Sequence, residues 1–471
     1  MRSEWVDSFM STIERTIAEA CHANRGRPAV DDGDTTLTFG ELDARVDTLA
    51  TELFRGGLEI GEPVAVLVSN RADDVAGFLA VWRAGGVAVP VHRNTPTVVA
   101  DKLKGRLGAR FQMNHGVEHI SDVTPATRPL LASAGTVVFT SGTTGDPKGV
   151  VQSPTRAADK LDMIAETTAW GAGGTTLIGL QLTFSFGQWA TWLTLARGGL
   201  AVLRGRFQID EIRALLEAGE ITRFPVVPTM LRQFAMTEAD TNLAGRNWDG
   251  TFMAGGEALP APVGRKTLAS FPRAGLGDIY GLSETGTSDF FVQPGEYDLL
   301  AGTIGHAGLG IDHRIGEDGE LLIRSPWGML GYLDAPGDTE KAFLDGYFRT
   351  GDLVRARADG ALELVGRAKD LVIRGGNKIA PLEIESLFLE NEDVVGALAA
   401  GVSDEARGEA LHLAVVARAG RALEPARLMA WAAERLERYK LPDEIHVLQE
   451  LPAGGTGKAD RSALAQMIKG R

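Results

Sequence analysis

Cysteine is nearly absent from the sequence, because Cys21 is the single cysteine among 471 residues. An intrachain disulfide is therefore impossible, and a cytoplasmic setting is expected. Positive charge is also scarce, since 48 lysines and arginines oppose 62 aspartates and glutamates and the formal net charge is -14. This charge argues against a general nucleic-acid or anionic-membrane binder, and it requires any nucleotide site to draw on local positive charge.

Long apolar segments are missing as well. No run of about 18 uncharged apolar residues occurs, so we expect no membrane span. The N-terminal stretch MRSEWVDSFMSTIERTIAEA is amphipathic and carries acidic residues throughout. It lacks the apolar core of a signal peptide, so none is expected.

The sequence supports neither of two hydrolase signatures. The sequence contains no G-x-S-x-G, which argues against the common serine-hydrolase site. The stretch HGVEH, from His115 to His119, matches the H-x-x-E-H pattern of one zinc-peptidase class. That site needs both histidines on one face of a helix, and Gly116 and the following ISDVTP disfavour a helix. We therefore interpret both as surface histidines.

Hydrophobic patterns predict an α/β fold. Helix and strand patterns alternate through the first part of the chain, which predicts mainly parallel sheets covered by helices. Thr38 and Glu41 form a capping box that predicts the start of one helix. From about Asp298 short strands and turns predict a β-rich subdomain, and the last part of the chain reads as a small α+β unit. We place the domains at residues 1–366 and 367–471.

A predicted buried strand at residues 134–139 leads into a loop rich in glycine and hydroxyl groups. The loop residues are Thr140, Ser141, Gly142, Thr143, Thr144, Gly145, Asp146, Pro147, Lys148 and Gly149. Glycines let the backbone approach a ligand, the hydroxyls and N–H groups donate hydrogen bonds, and Lys148 adds a positive charge, which together suit a polyphosphate cradle. The loop is not a Walker A loop, because Pro147 and Lys148 occupy the positions of the required Gly-Lys pair. A mobile surface turn is the alternative.

Four shorter motifs are ambiguous when each is taken singly. In YGLSET an aromatic ring beside a glycine can lie flat on a base and Glu284 could hold Mg²⁺, but a turn with a surface glutamate is the alternative. Asp352 in RTGDL is either a turn cap or a carboxylate for the ribose hydroxyls, which Arg367 could assist. Lys458 in GGTGK and the RGGNK stretch at 374–378 lie on glycine-rich segments where most lysines are only solvated.

The order of the motifs is more informative than any one of them. The chain carries, in sequence, TSGTTGDPKG, AGGEALP, YGLSET, RTGDL, GRAKDLVIRGGNKIAPLEIE and LPAGGTGK. In this order they resemble the adenylate-forming superfamily of acyl-CoA synthetases, adenylation domains of peptide synthetases and insect luciferases, from the Thr38 region to Lys458. The resemblance implies a two-step ligase. A carboxylate attacks the α-phosphorus of ATP to give an acyl-adenylate and pyrophosphate, and a thiol then displaces AMP.

The resemblance also implies a role for each matched residue. The β- and γ-phosphates are assigned to Thr140, Ser141, Gly142, Thr143, Thr144, Gly145 and Lys148. The adenine and acyl pocket is assigned to Gly255, Gly256 and Glu257, adenine to Tyr280 and Gly281 with Asp278 near its edge, and ribose to Asp352 and Arg367. Ser283 is expected beside the α-phosphate, Glu284 and Thr143 on Mg²⁺, and Lys458 between the acyl carboxylate and the nucleotide. Lys369 matches the hinge about which the C-terminal domain swings between half-reactions, and Arg374, Gly375 and Gly376 match a loop that lines the thiol tunnel.

The acyl pocket is expected in the segment QLTFSFGQWATW, with a glycine from AGGEALP. Its predicted residues are Phe184, Ser185, Phe186, Gly187 and Gly255. Relatives that activate amino acids carry an aspartate where Ser185 stands, so α-amino acids are disfavoured, and GDIYGLSETG offers no cation for a dicarboxylate. The aromatic run favours an aromatic or compact apolar acid, with a fatty acid as the alternative. If the aromatic residues are simply core, the specificity stays open.

The resemblance implies CoA as the acceptor, since free-standing members of the superfamily most often use it. A stand-alone adenylation enzyme that loads a carrier protein is the alternative, and no carrier domain follows Lys458. The expected ligands are therefore ATP, Mg²⁺, a carboxylic acid and CoA, with neither nucleic acid nor a membrane as partner.

Overall fold

The computed structural model describes residues 12–123, 127–140, 147–236, 246–404, 407–452 and 459–470. Most helices cover the faces of sheets. They are α1 (Thr12–Ala23), α2 (Phe39–Arg55), α3 (Ala72–Arg83), α4 (Thr97–Leu107), α5 (Pro154–Thr167), α6 (Ser185–Ala196), α7 (Ile209–Glu217), α8 (Pro228–Met236), α9 (Ala261–Ser270), α10 (Tyr297–Leu300), α11 (Pro336–Lys341), α12 (Pro381–Phe388), α13 (Pro425–Ala433) and α14 (Arg461–Lys469). Within these described residues, no helix is long and apolar enough to cross a membrane.

Strands occupy much of the remaining chain. They are β1 (Pro28–Asp31), β2 (Thr36–Thr38), β3 (Pro63–Val68), β4 (Val87–His92), β5 (Phe111–Met113), β6 (Val117–His119), β7 (Thr136–Thr140), β8 (Lys148–Gln152), β9 (Thr175–Ile178), β10 (Leu200–Leu203), β11 (Arg223–Val226), β12 (Thr251–Gly255), β13 (Gly275–Tyr280), β14 (Phe290–Val292), β15 (His306–Ala307), β16 (Asp312–Ile315), β17 (Glu320–Arg324), β18 (Gly331–Tyr332), β19 (Phe343–Leu344), β20 (Tyr347–Ala356), β21 (Leu362–Arg367), β22 (Val372–Arg374), β23 (Asn377–Ile379), β24 (Val394–Asp404), β25 (Gly408–Ala417) and β26 (Glu444–Leu448).

Two mainly parallel sheets form the large N-terminal part. The first has the order β15-β14-β13-β12-β11-β9-β10-β1-β2, and its strands from β13 to β1 run parallel. The second has the order β18-β8-β7-β4-β3-β5-β6, and its parallel strands are β7, β4, β3 and β5. Strands β3 and β4 are buried along almost their whole length, as expected for parallel strands covered on both faces.

Two smaller sheets follow in the chain. Strands β16, β17, β20, β19 and β21 form an antiparallel sheet, which is the predicted β-rich subdomain. Strands β23, β22, β25, β24 and β26 combine with α12, α13 and α14 into a small α+β unit. The predicted fold class is confirmed.

Local sequence signals account for several elements. Thr38 Oγ1 accepts a hydrogen bond from the Glu41 N–H at 3.2 Å, and the Glu41 carboxylate accepts one from the Thr38 N–H at 2.8 Å. The predicted capping box therefore starts α2. The H-x-x-E-H stretch is not helical, because His119 ends β6 and His115 has a φ of 61°. Both histidine side chains are about half exposed, which fits surface histidines.

Candidate active site

A tyrosine, an aspartate and an arginine meet where three strands lie together. Tyr280 ends β13, and Asp352 of β20 is the register partner of Arg367 at the end of β21. The Tyr280 Oη donates to Asp352 Oδ2 at 2.7 Å, and the Arg367 Nε donates to Asp352 Oδ1 at 2.9 Å. Asp352 is only 2% exposed, so its carboxylate is fixed by two donors in a dry setting. The structure thus brings together three residues that were predicted from the sequence to contact adenine and ribose.

The charges in this cluster are well defined. Burial, reinforced by the charge of Asp352, raises the pKa of Tyr280 well above its ordinary value, so its phenol stays neutral and donates. The negative charge of Asp352 raises the pKa of Arg367, which is permanently cationic in any case. The half-exposed guanidinium of Arg367 leaves donors for a ligand.

Glu284 lies on the turn that follows Tyr280. Residues Ser283–Thr285 form a 3₁₀ helix, and Glu284 Oε1 accepts a hydrogen bond from the Tyr332 Oη at 3.1 Å. Burial raises the pKa of Glu284, while the Tyr332 hydrogen bond and the charges of Arg367 and Lys148 oppose that effect. The turn needs glycine at position 281, because a Cβ there would lie 2.1 Å from the backbone nitrogen of Ser288.

Lys148 projects from the start of β8, where it is the register partner of Thr140 on β7. Its Nζ lies 2.9 Å from Asp338 Oδ2 and 4.9 Å from the centre of the Tyr332 ring. Tyr332 therefore contacts both Lys148 and Glu284, which places the predicted phosphate lysine beside the predicted Mg²⁺ ligand. Ser141, Gly142, Thr143, Thr144 and Gly145 of the predicted cradle lie outside the described residues.

The cleft beside Lys148 contains two cations that sequence reasoning missed. Lys102 and Arg106 of α4 line this open cleft of about 260 Å³ together with Lys148 and Tyr332. Their four-residue spacing places both on one face of α4. That spacing is visible in the sequence, but nothing there links α4 to the distant glycine-rich loop. The three cations suit a polyanion.

The glycine-rich segment after β12 borders the same site. A Cβ on Gly255 would lie 2.9 Å from the Ile279 carbonyl oxygen and 3.0 Å from the Phe186 ring, so only glycine fits without adjustment. Gly256 has a φ of +80°, a conformation that favours glycine. Glu257 Oε2 accepts a hydrogen bond from the Thr229 Oγ1 at 3.2 Å. The carboxyl ends of the neighbouring parallel strands β12 and β13 thus present the two predicted nucleotide segments at one edge.

Asp278 shares a strand face with Tyr280, since it stands two residues earlier on β13. It is 5% exposed, and its Oδ1 accepts a hydrogen bond from the Ile279 N–H at 3.0 Å. Burial raises the pKa of this carboxyl to about 8. Asp278 is therefore largely protonated at neutral pH and can donate as well as accept a hydrogen bond.

A second cavity adjoins the Ser283 turn and has a volume of about 50 Å³. Ser185, the first residue of α6, lines it and its Oγ lies 2.8 Å from the Ser283 Oγ. The other predicted pocket residues, Phe184, Phe186, Gly187 and Gly255, are not among the residues that line this cavity. Phe184 is 38% exposed, Phe186 stacks on Trp189 with ring centres 5.4 Å apart, and a Cβ on Gly187 would lie 2.5 Å from the Gln181 carbonyl oxygen.

The cavity also has a cation that the sequence prediction did not find. Lys160 of α5 lines it, with its Nζ 2.8 Å from Asp289 Oδ1. Lys160 lies more than a hundred residues before GDIYGLSETG, the segment on which the sequence prediction rested. No local signal distinguishes Lys160 from a solvated helix lysine, so only the fold reveals it.

The comparisons with known proteins agree with this geometry. Residues 17–108 and 112–333 match the AMP-binding enzyme family, and residues 383–458 match the AMP-binding enzyme C-terminal domain. The chain belongs to the AMP-binding enzyme family. The predicted superfamily is therefore confirmed.

Several relatives of this AMP-binding enzyme have established names. A 2-succinylbenzoate–CoA ligase of Bacillus licheniformis is 29% identical over 93% of this chain and 96% of the relative. A feruloyl-CoA synthase of an Amycolatopsis species is 28% identical over 91% of this chain and 94% of the relative. The structure of o-succinylbenzoate CoA synthetase from Bacillus subtilis with its acyl-adenylate intermediate is 25% identical, with a TM-score of 0.81, and covers 95% of this chain and 97% of the other. The same synthetase is also known in complex with ATP and a magnesium ion.

In the C-terminal unit of the AMP-binding enzyme, the hydrogen bonds of Arg374 are made to residues of that same unit. Arg374 donates to the carbonyl oxygens of Tyr439 at 3.1 Å and Leu441 at 2.7 Å, and to Asp443 at 2.6 Å. These bonds anchor the turn that carries Gly375 and Gly376, whose φ angles are +56° and +84°. Lys369 is exposed on the 3₁₀ helix Ala368–Asp370, and Lys458 lies outside the described residues.

Proposed function

We propose that this enzyme is an ATP-dependent carboxylate–CoA ligase that forms an acyl-adenylate, releases pyrophosphate, and then transfers the acyl group to CoA with release of AMP. The observation that carries the proposal is the Tyr280–Asp352–Arg367 cluster, which lies beside the carboxylate of Glu284 and the cation of Lys148. It offers an aromatic face, a ribose-binding carboxylate and phosphate-binding cations within one site. The reaction class predicted from the sequence agrees with the names of the relatives.

The proposed roles in adenylation follow from the chemistry of each group. Asp352 accepts hydrogen bonds from the ribose hydroxyls, and Arg367 orients that carboxylate. Tyr280 presents its ring to adenine, and the protonated Asp278 carboxyl donates to a base nitrogen. Lys148 exchanges Asp338 for phosphate oxygens, which reduces the repulsion between the triphosphate and the attacking carboxylate.

Glu284 suits a magnesium site, because carboxylate oxygens are ligands that Mg²⁺ prefers and this carboxylate is already oriented by Tyr332. Mg²⁺ bound with ATP supplies positive charge to the phosphate oxygens, and Glu284 and Thr143 are the residues that would hold it. Ser283 precedes Glu284 in the chain and, through its contact with Ser185, adjoins the cavity proposed for the acyl group. This position suits contact with the reacting carboxylate and the α-phosphate.

The second half-reaction is proposed to involve the C-terminal unit. The boundary at residues 366–370, the hinge role of Lys369, the thiol contacts of the Arg374 loop and the approach of Lys458 to the acyl carboxylate all belong to this proposal. It is supported by the position of Lys369 on an exposed single turn between β21 and β22. Lys369→Pro should leave ATP–pyrophosphate exchange within about threefold and slow thioester formation from preformed acyl-adenylate by tenfold or more, because proline restricts φ at that turn. Equal effects on both steps would contradict the hinge.

The proposed substrate is an aromatic or other compact apolar acid. The cavity beside Ser283 is small and lined largely by aromatic and aliphatic side chains. An α-amino acid is disfavoured, because the Ser185 hydroxyl is held by Ser283 and provides no charge for an ammonium group. CoA is the proposed acceptor and a carrier protein the alternative. A cytoplasmic setting remains part of the proposal.

Acid-dependent exchange of pyrophosphate with ATP tests the proposal. The assay compares benzoate and ring-substituted benzoates with alkanoates and α-amino acids, and mass spectrometry then follows the thioester formed on adding CoA. We expect exchange with aryl acids and a CoA thioester. Strongest exchange with an α-amino acid would refute the substrate assignment, and acylation of a carrier protein without any acyl-CoA would refute the acceptor.

A further inference from the structure

Two histidines and a glutamate meet on the small α+β unit, outside the candidate active site. His412 of β25 is the register partner of Glu444, the first residue of β26, and His446 stands two residues further along β26. Successive side chains of a strand point to opposite faces of the sheet, and directly paired residues of neighbouring strands share a face. The strand pairing therefore places all three side chains on one face of the sheet.

These three side chains are close enough to share a ligand. The His412 Nδ1 lies 3.1 Å from the His446 Nε2 and 3.8 Å from Glu444 Oε2. One ring nitrogen of each histidine and one carboxylate oxygen of Glu444 all lie within 4.8 Å of one another. Two nitrogens that bind one zinc ion at about 2.0–2.1 Å and at the tetrahedral angle are about 3.3–3.4 Å apart. The histidine pair already has nearly this spacing, and Glu444 needs to approach by no more than about 1.5 Å.

The packing around the cluster holds the histidines and leaves the glutamate accessible. The exposed fraction of the side chain is 5% for His446, 13% for His412 and 61% for Glu444. The shared face packs against α14, because Ala414, the register partner of His446, belongs to one apolar cluster with Leu464. The two imidazoles are therefore fixed at the edge of a packed core, whereas the exposed carboxylate can turn toward an ion that arrives from solvent. Packing that fixes the ligands in advance favours metal binding.

The donor atoms indicate the class of ion. Two imidazole nitrogens and one carboxylate oxygen are typical ligands of zinc and similar transition-metal ions, whereas Mg²⁺ and Ca²⁺ prefer oxygen ligands. Three protein ligands leave one position of a tetrahedral ion to water. An ion bound here would join β25 to β26, a strand that pairs with β25 alone among the described residues.

We propose that His412, His446 and Glu444 bind one Zn²⁺ or a similar divalent transition-metal ion, which fastens β26 to β25. The inference goes beyond the proposed function and does not depend on it, since none of the three residues belongs to the candidate active site. A hydrogen bond between the two imidazoles is the alternative, because one neutral ring can donate its N–H to the other at the same 3.1 Å distance. Metal binding by the protein separates the two.

The test uses the full chain without an affinity tag and freed of metal by a chelator. Calorimetry follows its titration with Zn²⁺ in excess Mg²⁺, and visible absorption follows its titration with Co²⁺, whose spectrum reports tetrahedral coordination. His412→Gln removes one ligand, and Glu444→Gln is a second variant at an exposed position where packing is not disturbed. His119→Gln is the matched control. That histidine lies 3.7 Å from the Asp122 carboxylate, yet it belongs to no group of three potential ligands among the described residues.

We expect one Zn²⁺ per chain that Mg²⁺ does not displace, and a visible Co²⁺ absorption that Zn²⁺ abolishes. His412→Gln should weaken Zn²⁺ binding by about 100-fold or more and Glu444→Gln by about 10-fold, because even residues that only orient a metal ligand contribute about 10- to 100-fold. His119→Gln should bind Zn²⁺ as tightly as the unchanged protein.

Three results would overturn the inference. They are no bound Zn²⁺, binding that both the His412 and the Glu444 variants retain, and equal weakening by the His412 and His119 variants. The first would leave a hydrogen-bonded histidine pair. Each would leave the ligase in place, since pyrophosphate exchange is measured separately and its failure would refute the proposed function alone.

Discussion

Two lysine–aspartate pairs in this protein have nearly the same length and very different surroundings. Lys148 lies 2.9 Å from Asp338, with side chains 26% and 43% exposed, whereas Lys160 lies 2.8 Å from Asp289, with side chains 2% and 0% exposed. An exposed pair contributes little to stability because water competes for both charges. A buried pair contributes little net, yet breaking it leaves an uncompensated charge in an apolar interior. Distance alone therefore does not reveal what a pair does.

The difference in burial separates a cation that can bind a ligand from one that cannot leave its partner. Lys148 can release Asp338 and bind phosphate at small cost, since both side chains are already hydrated. Lys160 cannot release Asp289 without leaving a buried charge, so it remains a fixed part of the cavity wall. Burial lowers the pKa of Lys160 and the charge of Asp289 opposes that effect.

Breaking the buried Lys160–Asp289 pair should give the largest effect, which is a loss of stability. Lys160→Met removes the cation with little change of shape and leaves Asp289 buried without its partner, so the free energy of unfolding should fall by about 3–5 kcal/mol. Urea denaturation followed by circular dichroism measures this loss. The double variant Lys160→Met with Asp289→Asn removes both charges and should recover most of it. A loss below about 1 kcal/mol in the single variant would show that the pair is not buried in solution.

Breaking the exposed pair should affect catalysis instead of stability. Lys148→Ala should lower kcat/KM for ATP in the exchange assay by about 10²-fold, because a cation near developing phosphate charge is lost. The free energy of unfolding should change by less than about 1 kcal/mol. If Lys148→Ala destabilises the fold as much as Lys160→Met does, the contrast between the two pairs is wrong.

A second buried carboxyl sharpens the comparison, because Asp278, unlike Asp289, has no cation partner among the described residues. Its folded-state pKa of about 8 exceeds the ordinary value of 3.8, so the folded state binds its proton more tightly than the unfolded state does. Stability from this group is then greatest at low pH and declines as pH rises from about 4 to about 8. Asp278→Asn should abolish that decline, which amounts to about 3–4 kcal/mol between pH 5 and pH 8 for a single group with these two pKa values. Melting curves at the two pH values measure it, and parallel pH profiles for both proteins would contradict the assignment.

The smallest effect is expected from replacing Asp338, the acidic partner of Lys148 in the exposed pair. Asp338→Asn removes the carboxylate that competes with phosphate for Lys148. The KM for ATP should fall by no more than about threefold, and the free energy of unfolding should not change measurably. A rise in KM would instead make Asp338 part of the nucleotide site.

The sequence allowed the residues of the candidate nucleotide site to be predicted because each belongs to a short motif. Tyr280, Asp352 and Arg367 come from three separate motifs, and the fold brings their side chains within hydrogen-bonding distance. The cavity beside Ser283 could not be predicted in this way. Its wall combines Trp82, Lys160 and Trp327 from distant segments, and helical periodicity alone cannot show which helices face each other across a cavity.

The most direct test of the account is the identity of the products formed without a thiol. The enzyme is mixed with ATP, Mg²⁺ and either benzoate or a hydroxybenzoate, quenched after a single turnover, and analysed by mass spectrometry. The account predicts aroyl-adenylate and pyrophosphate, and it predicts that added CoA converts the adenylate to AMP and an aroyl-CoA thioester. Formation of ADP and inorganic phosphate in place of AMP and pyrophosphate would contradict it.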